Sequence, residues 1–232
     1  MDKTGTIVRL QGVTRTYGAG DAAVHALGGI DLEVQAGAFA ALAGPSGSGK
    51  TTLLNVISGL DRPTTGRIWV AGEEVTAMNG AQLSRLRLRH IGFVFQTYSL
   101  IPVLTAYENA EYVLMLQGVR GADRRERVMA LLQRVGLTGM EHRFPRELSG
   151  GQQQRVAIAR AIAAQPALVL ADEPTANLDS HTADGLLDLM AALNREQGVT
   201  FIFSTHDGSV MKRAGRLIML HDGMIASNGE PK

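Results

Sequence analysis

The sequence contains no cysteine, a single tryptophan and few aromatic residues, which together make up 5% of its 232 residues. Without cysteine, neither a disulfide framework nor a thiolate metal site is available. The lack of cysteine also fits a reducing compartment. Neither sign of charge is in excess, because 23 Lys and Arg residues balance 22 Asp and Glu residues to a formal net charge of +1. That balance gives no electrostatic reason to expect a nucleic acid partner.

Long apolar runs are also missing, although hydrophobic residues make up 45% of the chain, enough for a core of one large domain. The longest uncharged stretch, 91–107, contains Pro102 and polar residues such as Gln96 and Thr97, and is interpreted as a strand followed by a loop. The N-terminal segment Met1–Thr6 lacks the basic stretch and apolar run of a signal peptide. We therefore expect a soluble protein that reaches a membrane only through a partner.

Short apolar or alternating runs between glycines predict strands. Residues 39–43 are wholly apolar, as in a strand that is buried on both faces of a sheet. Near the C-terminus, Asp222-Gly223 between two apolar runs predicts a hairpin. The predicted strands are 6–10, 28–34, 39–43, 67–70, 91–95, 167–170, 199–204, 217–220 and 224–226.

Helical periodicity dominates the middle of the chain and recurs after residue 179. Asp123 with Glu126, and Ser149 with Gln152, have the spacing of capping boxes, in which two side chains satisfy free N–H groups at a helix start. The first of these helices is expected to end at Gly136. Apolar residues that mark a further amphipathic helix are Leu186, Leu187, Met190 and Leu193. The order of elements predicts an α/β core with a mostly helical insertion.

Residues 44–51 match the P-loop pattern GxxxxGK[ST] in full, between a predicted buried strand and a predicted helix. Glycines let backbone N–H groups turn towards phosphate, and the helix start adds the positive end of its dipole. Lys50 is expected to reach the β- and γ-phosphates, and Thr51 to offer its hydroxyl to Mg²⁺. The alternative is an ordinary Gly/Ser-rich turn. The candidate nucleotide-binding residues are Gly44, Pro45, Ser46, Gly47, Ser48, Gly49, Lys50, Thr51 and Thr52.

Two acids, Asp172 and Glu173, follow the apolar run 168–171. A strand that ends there would place Asp172 beside the P-loop, where open α/β sheets bind ligands, and Asp172 would then hold Mg²⁺ through water. Because side chains alternate along a strand, Glu173 is expected to point elsewhere and to polarise a water for attack on the γ-phosphate. The alternative is that both acids cap the turn before Pro174.

The stretch Leu148-Ser149-Gly150-Gly151-Gln152 predicts a capped helix with two glycines in its first turn. Such a helix start is a second place where the chain can bind an anion. The alternative is merely a well-capped helix, but capping does not call for Gly150 and Gly151, because glycine weakens a helix.

With the P-loop, the acid pair and this signature in this order, the chain from Ile7 to about Gly229 resembles the nucleotide-binding subunits of ATP-binding cassette (ABC) transporters. The resemblance implies one α/β ABC ATPase domain over 1–232. Its P-loop NTPase core, 1–96 and 165–232, would have a mixed, largely parallel sheet and an N-terminal antiparallel β subdomain. A helical subdomain, about 97–164, would include the signature helix. It also implies ATP hydrolysis with Mg²⁺ by a homodimer, in which the P-loop of one subunit and the signature of the other clamp each ATP.

Four single residues gain roles from the same resemblance. Gln96 matches the glutamine that contacts Mg²⁺ and water, and His206 the histidine that hydrogen-bonds the γ-phosphate. Asp179, in Ala-Asn-Leu-Asp, matches the loop that contacts the opposing subunit, and Tyr17 the aromatic ring that stacks on adenine. The alternatives are a surface glutamine, a structural histidine, a helix-capping aspartate and an unrelated tyrosine.

Residues 97–111 and Pro145-Arg146-Glu147 are similar to the lipoprotein-releasing and macrolide-exporter group of ABC ATPases, which work with membrane permeases. The cell-division ATPase of that group is a close alternative. The resemblance implies a cytoplasmic protein held on the inner face of the cell membrane by an integral membrane permease. A soluble ABC ATPase acting on DNA or ribosomes is a second alternative, but such proteins usually carry two cassettes or a long coiled coil. A GTPase or a small-molecule kinase is not supported, because the sequence has no Asn-Lys-x-Asp guanine motif. Either function would also leave the signature unexplained.

Overall fold

The computed structural model describes residues 5–230, which form two β-sheets with helices packed around them. The expectation about a signal peptide in Met1–Thr6 falls mainly on residues 1–4, outside the described residues. The strands are β1 (Thr6–Tyr17), β2 (Val24–Gln35), β3 (Phe39–Ala43), β4 (Thr65–Val70), β5 (Glu73–Glu74), β6 (Ile91–Val94), β7 (Leu168–Ala171), β8 (Thr200–Thr205), β9 (Arg216–His221) and β10 (Met224–Gly229). The helices are α1 (Lys50–Ile57), α2 (Gly80–His90), α3 (Ala106–Leu116), α4 (Gly121–Arg134), α5 (Gly150–Ala163), α6 (Ser180–Gln197) and α7 (Gly208–Met211).

The smaller sheet is antiparallel, with strand order β2-β1-β4-β5. β1 and β2 both extend well beyond the predicted strands 6–10 and 28–34. The pairing of β1 with β2 shifts register near Gly12, which has φ of 55°, and near Gly29, which has φ of 104°. Such β-bulges bend a strand without ending it, so β1 continues through Gly12 to Tyr17, and β2 already begins at Val24.

The larger sheet has the order β10-β9-β3-β8-β7-β6, and all of its pairs are parallel except β9 with β10. Its central strands are almost wholly buried, as the apolar runs predict. Because parallel strands end at the same edge, the residues that follow β3, β8, β7 and β6 meet there. The P-loop, His206, the acid pair and Gln96 are those residues.

Helices α3, α4 and α5 lie between β6 and β7 and enclose a separate apolar cluster. The capping box predicted at Asp123 and Glu126 is wrong, because α4 begins at Gly121 and Arg120 occupies its N-cap position without a side-chain hydrogen bond. Asp123 lies instead in the first turn, where its negative charge interacts favourably with the positive end of the helix dipole. The box at Ser149 and Gln152 is confirmed.

Helix α2 was not predicted from the sequence. The loop that was predicted to run to Tyr107 ends earlier, at Thr105, which is the N-cap of α3. The predicted C-terminal hairpin is confirmed, and the predicted apolar face of α6 is buried. Within residues 5–230, no helix is both long enough and apolar enough to span a bilayer. The predicted α/β fold class, with its largely parallel sheet, antiparallel N-terminal sheet and helical insertion, is confirmed.

Candidate nucleotide-binding site

The P-loop connects the end of β3 directly to the start of α1 and needs glycine at two positions. Gly44 has φ of 151° and Gly49 has φ of 100°, both in the region that favours glycine. A Cβ atom on Gly44 would lie 2.2 Å from the carbonyl oxygen of Leu220, and one on Gly49 would lie 2.5 Å from that of Ala26. The loop is therefore packed against β9 and β2 so closely that side chains there would displace the backbone.

Lys50 lies inside this loop and is only 6% exposed. Its Nζ donates hydrogen bonds to the carbonyl oxygens of Gly44, at 2.8 Å, and Pro45, at 2.9 Å. The Ser48 hydroxyl is also buried, and among the described residues it has no hydrogen-bond partner. A buried ammonium and an unpaired hydroxyl in a loop of backbone N–H groups have the chemistry of a phosphate-binding cradle.

Asp172, directly after β7, contacts the P-loop as predicted from its place at the strand end. Its Oδ1 accepts hydrogen bonds from the hydroxyls of Thr51, at 3.1 Å, and Ser204, at 2.6 Å. The Ser204 hydroxyl also accepts a hydrogen bond from the backbone N–H of Glu173, at 2.8 Å. Ser204 was not predicted from the sequence, although it and Thr205 are the two hydroxyl residues at the end of the apolar strand before His206.

Glu173 and His206 are brought into contact, with 3.1 Å between the histidine Nδ1 and the carboxylate Oε1. The expected reason for the orientation of Glu173 is wrong, because β7 ends at Ala171 and strand alternation no longer applies. Glu173 instead has φ of 43°, a left-handed conformation that costs a non-glycine residue about 1–3 kcal/mol. With this backbone turn, the Glu173 carboxylate contacts His206, the residue that follows β8.

Gln96 is exposed and lies two residues beyond the end of β6, at the same sheet edge. The carbonyl oxygen of Val94 accepts a hydrogen bond from the backbone N–H of Asp172, at 2.8 Å, so Gln96 follows a strand end directly beside the acid pair. The backbone carbonyl oxygen of Gln96 accepts a hydrogen bond from Asn177 Nδ2, at 3.1 Å. The loop at Gln96 is thus tied to the Ala-Asn-Leu-Asp loop.

Tyr17, at the end of β1, is held by two residues that the sequence analysis missed. Its hydroxyl donates to Asp61 Oδ2 at 2.6 Å, and the guanidinium carbon of Arg15 lies 4.2 Å from its ring centroid. Arg15 also donates to Asp61, at 2.9 Å. Partial burial favours the neutral form of Asp61 and so acts to raise its pKa. The pKa is nevertheless lowered, because Asp61 accepts hydrogen bonds from Tyr17 and from the backbone N–H of Arg62 and lies beside the charge of Arg15. One ring face of Tyr17 is therefore covered by Arg15.

The signature begins a different helix, α5. The Ser149 hydroxyl accepts from the backbone N–H of Gln152 at 3.3 Å, and Gln152 Oε1 accepts from the N–H of Ser149 at 2.9 Å. Among the described residues, no hydrogen bond connects Ser149–Gln152 with the P-loop. One chain thus presents two helix starts with free N–H groups, and each is separately built.

The two signature glycines are packed against the loop that contains Tyr98 and against the first turn of α6. A Cβ atom on Gly150 would lie 2.7 Å from the Tyr98 hydroxyl, and one on Gly151 would lie 2.4 Å from Cγ2 of Thr182. Thr182 is fixed by Asp179, whose carboxylate accepts from its backbone N–H at 2.9 Å and from its hydroxyl at 2.7 Å. These bonds from Thr182 lower the pKa of Asp179. Asp179 therefore caps α6, the structural alternative that the sequence analysis left open.

Comparison with known proteins matches residues 27–176 to the family described as ABC transporter. The chain belongs to the ABC transporter family. It is 51% identical to the lipoprotein-releasing system ATP-binding protein LolD of Anaeromyxobacter dehalogenans, over 96% of this chain and 93% of that protein. It is 46% identical to the macrolide export ATP-binding/permease protein MacB of Brucella melitensis, over 96% of this chain but only 34% of that protein.

The fold is shared with a solved dimeric ATP-binding cassette in a post-hydrolysis state with ADP and Pi, at a TM-score of 0.90 and 41% identity over 97% of this chain and 99% of the other. The chain is therefore an ATP-binding and ATP-hydrolysing ABC transporter ATPase, and the predicted likeness to the lipoprotein-releasing and macrolide-exporter group is confirmed. None of these relatives supports the alternative of an ATPase acting on DNA or ribosomes.

Replacing Ser204 by alanine should impair hydrolysis more than nucleotide binding. The change removes the hydroxyl that bonds Asp172 Oδ1 and the Glu173 N–H. Losing a hydrogen bond to a charged group corresponds to a fall in kcat of about tenfold or more. Phosphate release measures kcat, and calorimetry measures the ATP affinity.

Ser58→Ala is the matched control, because Ser58 is equally buried but its hydroxyl donates to the carbonyl of Asn55, at the end of α1. We expect it to lower stability without lowering kcat. Equal kcat losses in both variants would show that Ser204 has no specific part in the site.

Proposed function

We propose that two copies of this chain close head to tail around two ATP molecules, with the P-loop of one copy and the signature of the other holding each ATP. The two separately built helix starts in one chain are the observation that supports this most strongly. The dimeric state of the solved cassette supports it further. On this proposal, the helical segment 97–164 moves relative to 1–96 and 165–232 when the copies close.

Binding begins at the P-loop, 44–52. Its N–H groups and Lys50 take the phosphates, and the ammonium exchanges the carbonyls of Gly44 and Pro45 for phosphate oxygens. The ring of Tyr17 stacks on adenine with the face opposite Arg15, which holds the base with little discrimination.

The signature of the second copy completes the site. Ser149, Gly150, Gly151 and Gln152 direct the start of α5 at the γ-phosphate. Asp179 contacts the opposing copy while it caps α6.

Hydrolysis is assigned to Glu173 as the general base, because its backbone is bonded to Ser204 at the same sheet edge as the P-loop and its carboxylate contacts His206. His206, bonded to Glu173, is placed to hydrogen-bond the γ-phosphate. Gln96 follows the adjacent strand and helps to position the attacking water. As the oxygen of that water attacks the γ-phosphorus, a water proton passes to the Glu173 carboxylate, the bond between the γ-phosphorus and the bridging oxygen breaks, and ADP leaves.

Mg²⁺ fits the oxygen ligands at this edge. The Thr51 hydroxyl and the Asp172 carboxylate lie 3.1 Å apart, and hard oxygen ligands of this kind suit the ion. We assign Thr51, Asp172 and Gln96 to hold it. When bound, the ion neutralises negative charge on the phosphates.

We propose that an integral membrane permease is the partner, so that the chain acts at the inner face of the cell membrane as part of a lipoprotein-release or macrolide-export type of system. The MacB relative is named as an ATP-binding and permease protein, and this chain matches only 34% of it. The ATP-binding part of that relative therefore works with a permease part, which supports a permease as the partner.

The helical segment has an apolar surface that fits such a partner. Tyr112, Met115 and Leu116 are 39%, 48% and 55% exposed and lie at spacings that place them on one face of α3. Val103, 75% exposed, precedes them in a loop that is fixed to α3 by hydrogen bonds of the buried Asn109. We define these four side chains as the docking surface.

Glu173→Gln should retain ATP binding and trap a dimer. The amide keeps the shape of the side chain but cannot accept the proton, so hydrolysis should fall about 100-fold or more. Size-exclusion chromatography with and without ATP measures the dimer, and phosphate release measures turnover. Glu33→Gln, at an exposed ion pair on β2, is the control and should behave as wild type. Normal hydrolysis by Glu173→Gln would refute the assignment of the base.

Met115→Glu should weaken binding of the permease without changing basal ATP hydrolysis. A carboxylate on the docking surface has to be desolvated when a partner covers it, whereas Met115→Leu keeps the surface apolar. The measurement is co-purification of the permease encoded in the neighbouring reading frame. If Met115→Glu retains that permease as well as Met115→Leu does, or if ribosomes co-purify instead, the proposed partner is wrong.

A further inference from the structure

The segment after Gln96 has an unfavourable backbone. Tyr98 and Ser99 have φ of 61° and 46°, and both lie in the left-handed region that disfavours residues with a side chain. The N–H of Ser99 donates to the carbonyl of Thr97 at 2.6 Å, closing a three-residue turn. Two consecutive strained residues persist only where surrounding contacts hold them.

Arg160, in the third turn of the signature helix α5, makes that contact. It donates to the carbonyl oxygen of Ser99 at 2.6 Å and to that of Tyr98 at 3.2 Å. Burial lowers the pKa of this arginine. Among residues 5–230, no carboxylate forms an ion pair with it. A half-buried guanidinium that has only two carbonyls as partners is costly to keep, which argues for a role beyond stability.

The same turn also contacts the start of α5. The Tyr98 hydroxyl lies 2.7 Å from where a Cβ atom of Gly150 would be. The segment 98–99 therefore lies along α5 from the signature to Arg160. Two residues before it, the loop at Gln96 is bonded to Asn177. Arg160 thus joins the signature helix to the loop that follows β6.

We propose that Arg160 is a positioning residue for ATP hydrolysis, which holds Tyr98 and Ser99 in their left-handed turn and so fixes the signature to the loop of Gln96. This inference rests on the two-chain site proposed above. In such a dimer, Gln96 lies beside the ATP that is bound to the P-loop of its own chain. The signature contacts the ATP that is bound to the P-loop of the partner. Arg160 therefore keeps the two half-sites of one chain in the geometry that closure requires.

Arg160→Gln should lower kcat about tenfold or more, because two charge-assisted hydrogen bonds are lost or weakened. The ATP affinity of the isolated chain should stay near the wild-type value, since Arg160 does not touch the P-loop. Arg155→Gln is the matched control. Arg155 lies on the same helix, but it donates to the carbonyl of Val135, at 2.8 Å, in the helical segment. That variant should lose stability without this selective loss of kcat.

A second change tests the strain directly. Glycine adopts the left-handed region without cost, so Ser99→Gly should restore kcat in the Arg160→Gln background but give no gain in the Arg155→Gln background. If Arg160→Gln does not fold, Arg160→Lys replaces it, because an ammonium cannot match both carbonyls as the planar guanidinium does. Wild-type kcat in the Arg160 variant, or equal effects of Ser99→Gly in both backgrounds, would overturn the proposal.

ATP-dependent dimerisation separates failure of this proposal from failure of the two-chain site. If Glu173→Gln alone forms no dimer with ATP, the two-chain site itself is wrong. If Glu173→Gln forms a dimer and adding Arg160→Gln leaves dimerisation unchanged, only the role of Arg160 is wrong. We expect the double variant to need a higher ATP concentration to dimerise.

Discussion

Parallel pairing of β6, β7, β8 and β3 is the constraint on which the rest of the site depends. The register places Ala43 beside Thr205, Phe203 beside Ala171, and Ala171 beside Val94. The P-loop, His206, the acid pair and Gln96 follow these strands, so groups that are far apart in the sequence meet at one edge. The sheet can pair in this way because β3 and β7 are apolar over their whole length, and β8 carries its hydroxyl side chains only at its two ends, Thr200, Ser204 and Thr205.

The pairing brings the groups together, but local bonds orient them. Ser204 joins Asp172 to the backbone of Glu173, and the left-handed turn at Glu173 directs its carboxylate to His206. The signature, on the inserted helices, lacks direct hydrogen bonds to the P-loop within the described part of the chain. Its place is determined by contacts with Tyr98 and Thr182. One chain thus contains a sheet edge where the P-loop, the acid pair, His206 and Gln96 meet, and a separate helix start at the signature.

Much of this arrangement was predictable because its signals are local. The P-loop pattern, the apolar strands before each polar group and the Ser149 capping box all depend on neighbouring residues. The strand limits of β1 and β2 were missed because a glycine at a bulge and a glycine at a turn look alike in sequence. The start of α4 was misplaced because an acid in the first turn resembles an acid at the cap.

Contacts between distant segments were not predictable from one sequence. Nothing near Arg160 indicates that its partners are the carbonyls of Tyr98 and Ser99, since backbone carbonyls carry no residue identity. Likewise, Asp61 fixes Tyr17 across 44 residues of chain. Such bonds arise only once the sheets and helices are packed, so they had to be found in the structure.

The central claim is that each site for hydrolysis needs a P-loop from one chain and a signature from another. Mixing two inactive variants tests it most directly. Lys50→Ala removes the ammonium of the P-loop, and Gly150→Asp places a carboxylate where the signature would bind phosphate. Each variant alone should be inactive, and mixing them should restore ATP hydrolysis, because a mixed dimer contains one intact pair of half-sites. If the mixture hydrolyses no more ATP than the sum of its separate components, the claim is contradicted.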